Sequence, residues 1–370
     1  MPLQALTATL STPSHRRAQK ERDCLQEGTA LTALRQKGGG AGVQAAGFGG
    51  GGAKPAAKKK KGAKKGAAKK PAKASAAASR QSVLGRELKA SGVVRIDGAL
   101  SPETADALRE FVDAERQICS AEVAAGKRAQ TTRFANLVLL ENRCDLLLPL
   151  HGPTLAALDE LLGEGSTLGP LLEEVVGREA RFNELACLIS EPGSLQQPIH
   201  PDTPYTSTPP LYACFVALQD VDIEMGPTVY LPGTHTAEEH TAFYGGNLER
   251  GRDVTGQRQA PVAEDYLKSK TVKLGLLSKG DCALYNQQVL HCGSANESPD
   301  RVRRQFYVSV RDMSVKGVNA RASIRPALLD RLTLGDVRDE LKLIRAGDEA
   351  ERFAQLDAQD AVLGLAADEE

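Results

Sequence analysis

The chain has 370 residues, 25% of them charged, 41% hydrophobic and 4% aromatic, with 47 basic and 47 acidic side chains. The zero net charge conceals two opposite parts: residues 1–80 carry 17 Lys/Arg against 3 Asp/Glu, which leaves 30 against 44 for residues 81–370. No apolar run approaches the roughly 20 residues needed to cross a bilayer, and the first twenty residues lack the basic-then-apolar order of a secretory signal. The seven cysteines (Cys24, Cys119, Cys144, Cys187, Cys214, Cys282 and Cys292) are scattered without a Cys-x-x-Cys, which argues against a disulfide scaffold or zinc ribbon and for free thiols in an intracellular, cytoplasmic or organellar setting.

Residues 1–80 read as a disordered Gly/Ala/Lys-rich basic tail. Residues 38–52 are almost entirely Gly and Ala, and residues 54–73 hold ten lysines and no acid, so the segment cannot bury enough apolar surface to offset its ordering entropy. Its plain role is a solvated arm. Its sharper role is a weak electrostatic contact with nucleic acid or another anionic surface, by release of counterions. The acid-poor, Ser/Thr/Arg-containing start also leaves an organelle transit peptide open.

Order is expected from Val83 onward. Residues 93–96 read as a short strand. Ser101-Pro102-Glu103 starts a helix, with Ser at the N-cap, Pro in the first turn and an acid beside it, and Leu108, Phe111, Val112 and Ile118 are expected on its buried face. Two more helices are predicted over 154–162 and 169–176, the second closed by Gly177. From Arg181 the texture changes to short β-branched and aromatic segments between turn residues: 184–190, 211–219, 227–231, 271–276, 281–286 and 305–311. Short strands behind a helical lead-in predict a mainly β (α+β) chain with flanking helices and a double-stranded β-helix, or jelly-roll, core. Helix returns over 326–345. The acidic end, 348–370, reads as a surface helix or tail.

Of the six histidines, His200 is the informative one, in Gln197-Pro198-Ile199-His200-Pro201-Asp202. On an extended segment residues i and i+2 share a face, so His200 and Asp202 can aim a ring nitrogen and a carboxylate at one point. His291, on a distant strand, can supply a third ligand and complete the two-histidine, one-carboxylate set used by non-haem Fe(II) oxygenases. Arg301, Arg303 and Arg304 follow ten to thirteen residues later and open the last strand. An arginine there can hold a distal carboxylate through a charge-assisted pair.

Three segments in order, His200-Pro201-Asp202, then Gly226 through Pro232-Gly233-Thr234-His235, then His291-Cys292-Gly293-Ser294 with Asn296, Ser298 and the trailing arginines, resemble the phytanoyl-CoA dioxygenase family of Fe(II)/2-oxoglutarate oxygenases. The resemblance runs from about Ser91 to Asp312. It implies a dioxygenase domain over 81–320 and a helical, acidic extension over 321–370. It makes His200, Asp202 and His291 the iron ligands. Arg303 is the best match to the 2-oxoglutarate arginine if one residue is inserted before it; Arg301 is closer by count from His291, and Arg304 should face the other way. With Fe(II), 2-oxoglutarate and O2, it implies hydroxylation of an unactivated C–H of a small or acyl substrate, with release of succinate and CO2. A carboxylate at Asp202 favours hydroxylation, because related halogenases carry a small residue there.

The remaining candidates are read as structural. His235 closes a turn, His151 and His240 lie at the surface or cap helices, and Cys292 faces away from His291. Tyr205 and Phe215 either line the cavity or pack beside it, and Asn296 and Ser298 shape a turn. Two other readings stay open: a catalytically degenerate jelly-roll binding protein, and a nucleic-acid-associated protein acting through the lysine arm.

Overall fold

The computed structural model describes residues 46–47, 83–135, 141–246, 248, 264–316, 320–348 and 351–363. The lysine run at 54–73, with the roles expected of it, lies outside the described residues, as does most of the loop at 247–263. Among the described residues no helix is long and apolar enough to cross a membrane.

In chain order the elements are β1 (Ala46–Gly47), α1 (residues 83–91), β2 (Val93–Ile96), α2 (Pro102–Ala124), β3 (Arg143–Leu147), α3 (Pro153–Leu162), α4 (Leu168–Val176), β4 (Arg181–Ser190), β5 (Leu211–Ala217), β6 (Thr228–Tyr230), α5 (Ala237–Phe243), α6 (Glu264–Lys268), β7 (Lys273–Leu274), β8 (Cys282–Asn286), β9 (His291–Gly293), β10 (Arg303–Arg311), α7 (Leu334–Ala346) and α8 (Glu351–Leu363). Six strands form one antiparallel sheet in the order β2-β8-β5-β10-β4-β3. Four form a smaller sheet, β1-β7-β6-β9, antiparallel except for the β1–β7 pair.

Period-two alternation divides the large sheet. Along β10, Phe306, Val308 and Val310 join the main apolar cluster with Leu108 and Val112 of α2, Leu158 and Leu161 of α3 and Leu171 of α4. Arg303, Gln305 and Tyr307 lie on the opposite face, towards the small sheet. Leu108 and Val112 are fully buried, each contributing on the order of 1.5–3 kcal/mol of transfer free energy. The C-terminal segment shares this core through Leu328, Leu334, Val337, Leu341, Phe353 and Leu356.

The predicted helix start holds: Ser101 Oγ accepts from the Thr104 amide at the N-terminus of α2. Its buried face differs from expectation. Ile118 is 54% exposed and Cys119 is buried instead, because Ala105, Leu108, Val112 and Cys119 follow the 3–4–7 spacing of one stripe and Ile118 falls off it. The predicted helix at 326–345 begins only at Leu334, where Thr333 and Asp336 form a capping box and Asp330 ahead of it holds a left-handed φ of 60°. The acidic end is no free tail over its described part: α8 buries Phe353, Leu356 and Asp360. Two strands escaped prediction. β3, Arg-Cys-Asp-Leu-Leu, has charged residues on its buried positions, and β1 lies within the segment read as a disordered tail yet pairs with β7.

Candidate metal centre

Backbone pairing builds the site. His200 lies outside the named strands, yet it forms an antiparallel bridge to His291 in β9. Each amide donates to the other's carbonyl at 2.9 Å. Residues so paired place their side chains on the same face, and the two rings sit 4.8 Å apart. The Asp202 amide donates to the Gln287 carbonyl at 2.9 Å, which returns the carboxylate to the same side two residues on. One ligand atom from each of His200, Asp202 and His291 lies within 4.8 Å of the other two. His200 Nε2 is 3.5 Å from Asp202 Oδ1 and His291 Nε2 is 3.4 Å from Asp202 Oδ2.

The donor set fits a divalent metal such as Fe(II). His200 Nδ1 is 2.7 Å from the Pro198 carbonyl, and His291 Nδ1 is 2.9 Å from the Val289 carbonyl. A carbonyl only accepts, so each Nδ1 carries the proton and each Nε2 presents its lone pair to the shared point. Tyr285 Oη donates to Asp202 Oδ2 at 3.0 Å and orients the carboxylate. Burial works against the Asp202 charge, but the two histidines and the Tyr285 hydroxyl outweigh it and hold the carboxyl below its ordinary range. Burial likewise opposes charge on His200, where the Asp202 hydrogen bond prevails and raises the pKa. At His291 burial prevails and lowers it. The set is thus two neutral-competent imidazoles and one carboxylate, with an open side, as Fe(II) oxygenase chemistry requires.

Beside the cluster lies a small cavity between the two sheets, lined by Leu188, Gln197, Phe215, Thr228, Tyr230, Tyr285, His291, Gly293 and Arg303. Arg303 is fully buried. Its Nη2 donates to Ser190 Oγ at 3.1 Å, while Nε and Nη1 have no acceptor. Burial, then the charge of Arg143, pulls its pKa down to about 9. Of the three arginines in this segment, Arg303 alone lines the cavity. Arg301 is exposed and pairs with Asp222 and Glu224. Arg304 turns to the outer face and pairs with Asp113 of α2 at 2.7 Å.

The other candidates resolve separately. His235 Nε2 lies 3.1 Å from the Lys89 carbonyl, at a turn away from the cluster. His151 is half-exposed beside Asp357. His240 is not a surface or capping residue. It is fully buried in α5 with Nε2 2.7 Å from the Gln288 carbonyl, because α5, with Phe243 and Tyr244 at its end, packs against the 287–290 turn; burial lowers its pKa. Cys292 is buried with Ile199, Val229 and Leu231. Phe215 lines the cavity and stacks on Tyr307 at 4.5 Å and 4°. Tyr205 packs 5.8 Å from His240. Asn296 Nδ2 donates to the Ser190 and Arg301 carbonyls and Ser298 Oγ to the latter, which shapes the turn into β10.

Several site residues escaped the sequence reading. Tyr230, Tyr285 and Gln197 line the cavity. Glu184 accepts from Gln287 Nε2 at 2.8 Å, and burial followed by the Asp202 charge pushes it up to about 8. For Tyr230, Tyr285 and Glu184 the inward parity of their strands is the one mark beforehand; Gln197 lies outside the strands.

The profile of the family described as phytanoyl-CoA dioxygenase (PhyH) matches residues 88–305, more than half of the chain. Among curated proteins none matches. Among solved structures, the chain is similar to the non-haem 2-oxoglutarate-dependent epimerase SnoN of nogalamycin biosynthesis, with 17% identity over 66% of this chain and 86% of that one and a TM-score of 0.42. It is similar to AviO1 of Streptomyces viridochromogenes Tue57, with 16% identity over 65% and 98% and a TM-score of 0.43. It is also similar to HygX of Streptomyces hygroscopicus, solved with nickel, 2-oxoglutarate and hygromycin B, with 13% identity over 70% and 98% and a TM-score of 0.41. The family match covers β2 through the start of β10 and takes in all three clustered ligands and the buried arginine, so the chain belongs to the phytanoyl-CoA dioxygenase family.

Proposed function

We propose that this protein is an Fe(II)/2-oxoglutarate-dependent dioxygenase with a jelly-roll core, and that it hydroxylates an unactivated C–H of a small or acyl substrate. His200, Asp202 and His291 hold the metal, and Arg303 binds the distal carboxylate of 2-oxoglutarate. The observation that carries this reading is that His291 and an unneutralised buried guanidinium line one and the same cavity. A dicarboxylate with a chelating 2-oxo acid end is the ligand that satisfies both walls at once. Bound iron supplies the chemistry: O2 activation coupled to oxidative decarboxylation of 2-oxoglutarate to succinate and CO2, with oxygen insertion into the substrate.

The chain's own groups position and shield. The Pro198 and Val289 carbonyls fix the ring tautomers, and Tyr285 fixes the carboxylate. Asp202 occupies the third ligand position, which favours hydroxylation over halogenation. The Arg303 guanidinium, with Nε and Nη1 lacking any acceptor, offers N–H donors to a carboxylate, a charge-assisted contact that sets the cosubstrate's orientation. Phe215, Leu188 and Tyr230 exclude water around it.

The test is anaerobic. Fe(II) and then 2-oxoglutarate are added, and the weak visible charge-transfer band of the chelate is followed. Wild type should show the band, His200→Ala should lose it, and Arg303→Ala should need far more 2-oxoglutarate to develop it. Iron bound without any band, at saturating 2-oxoglutarate, would overturn the assignment.

A further inference from the structure

The inward face of the large sheet has a second polar end, away from Arg303. The register of β4, β10, β5 and β8 sets Glu184, Ser309, Ala213 and Tyr285 on one rung, and residues paired across antiparallel strands share a face. Tyr285 closes the rung beside the metal centre, with its hydroxyl on Asp202. Gln287 links the two carboxylates by another route. Its carbonyl accepts from the Asp202 amide at 2.9 Å, and its Nε2 donates to Glu184 Oε2 at 2.8 Å. Glu184 therefore stands one residue removed from a metal ligand. Arg303 lies six residues back along β10 from Ser309, about 20 Å at the rise of a strand, so this rung is separate from the seat of the cosubstrate's distal carboxylate.

No counter-charge serves this end. Among the described residues Glu184 accepts from the neutral Gln287 amide and pairs with no Lys or Arg. The charges that act on it most are those of Asp202 and Asp145, both of its own sign. Ser309, its partner across the rung, is 1% exposed, and its Oγ makes no hydrogen bond of good geometry. Asp145 is 3% exposed with Oδ1 unpartnered. Glu184 itself stays partly exposed, so a ligand can reach it. A desolvated carboxylate without a cation is costly, and a docking cation offsets that cost. A hydroxyl would donate one hydrogen bond and leave the charge unmatched, and an anion would be repelled.

We propose that Glu184, with the Ser309 hydroxyl, binds a cationic nitrogen of the substrate, so that the enzyme acts on an amine-bearing molecule and discriminates against free carboxylates. The ammonium group takes its charge partner from Glu184 and a further acceptor from Ser309 Oγ, and Gln287 holds Glu184 in place beside Asp202. A substrate anchored there presents its nearby C–H groups to the metal. The inference rests on His200, Asp202 and His291 being the metal site.

The experiment is ligand-observed proton NMR on the full chain with 2-oxoglutarate. The protein is loaded with Mn(II), whose unpaired electrons speed the relaxation of protons bound near it, and with Zn(II) as the diamagnetic reference. The probes are cyclohexylamine, cyclohexanol and cyclohexanecarboxylate, one ring with a cationic, a neutral and an anionic head. Wild type should bind the amine about tenfold or more tightly than the alcohol, with its ring protons relaxed by Mn(II), and should not bind the carboxylate. Glu184→Gln, which keeps the shape and the contact with Gln287, should weaken the amine about tenfold or more and leave the alcohol unchanged. Ser309→Ala should weaken the amine to a smaller extent. Equal binding of amine and carboxylate by wild type, wild-type amine affinity in Glu184→Gln, or no Mn(II)-dependent relaxation of the amine would overturn the proposal. If Glu184→Gln does not fold, Ser309→Ala decides: a loss confined to the amine supports the site, and wild-type affinity refutes it. Each of these failures with Mn(II) bound sinks this inference alone, whereas wild type that binds no Mn(II) sinks the reading of the metal site.

Discussion

The C-terminal helix is held by a buried ionic cluster whose strength can be measured. Asp360 of α8 is 5% exposed and serves two arginines, accepting from Arg325 Nη1 at 2.7 Å and from Arg133 Nη1 at 3.3 Å. Arg325 also pairs with Glu115 of α2, and Arg133 with Glu122 of α2 at 2.8 Å. Removing one partner of a buried pair costs about 3–5 kcal/mol, because the surviving charge stays desolvated. In Asp360→Ala each guanidinium keeps a second carboxylate, and Glu122, at 29% exposed, admits water beside Arg133. The expected loss is therefore about 2–3 kcal/mol, a large share of the about 5–15 kcal/mol that holds a domain together. Urea unfolding at pH 7, followed by far-ultraviolet circular dichroism, measures it. Arg345→Ala is the control: Arg345 pairs with Asp159 at 2.7 Å and is 39% exposed, so its loss should stay within about 1 kcal/mol. If Asp360→Ala unfolds at the same urea concentration as wild type, or shifts no further than Arg345→Ala, the cluster does not anchor α8 and the reasoning fails.

Asp145 is buried, and that burial pushes its carboxyl up from 3.8 to about 6, although the Tyr307 hydroxyl partly opposes the shift. The unfolded chain releases this proton first, so folding stability falls as pH rises from about 4 to about 6 and stays lower above; Asp145→Asn should remove up to about 3 kcal/mol of that fall, and unfolding free energies with the same pH slope in both proteins would contradict it. Arg301→Ala should leave the 2-oxoglutarate Kd within about twofold while Arg303→Met raises it about 100-fold, as expected for loss of two charge-assisted hydrogen bonds; the reverse order by calorimetry would move the cosubstrate site. Gly226 has φ of 71°, and an added Cβ would lie 2.1 Å from the Ala295 carbonyl oxygen, so Gly226→Ala should cost about 2–4 kcal/mol. Gly98→Ala, at φ of 60° with nothing within 4 Å, should cost only about 1 kcal/mol, and equal losses in urea would refute the steric argument.

The parts of this protein readable from sequence are those set by short-range geometry. The i, i+2 spacing places His200 and Asp202 on one face by the pleat of an extended chain alone. Ser101-Pro102 starts α2 because a hydroxyl and a missing amide proton solve the problem of its free N-terminal donors locally. Alternation along β10 separates Arg303 from Arg304 without any knowledge of what lies beside them. What depends on register between distant segments was open. The His200–His291 bridge spans 91 residues of chain, and no local rule sets it. Sequence favoured Arg303 by resemblance and Arg301 by count; that Arg303 lines the cavity while Asp222 and Glu224 hold Arg301 outside depends on the fold. β3 looks too charged for a buried strand until Ser190 and Tyr307 supply partners for Arg143 and Asp145. Residue order thus determined which chemistry the chain can offer. Strand register decided which of those groups meet in one desolvated cavity, because that meeting is a property of pairing across the sheet and not of spacing along it.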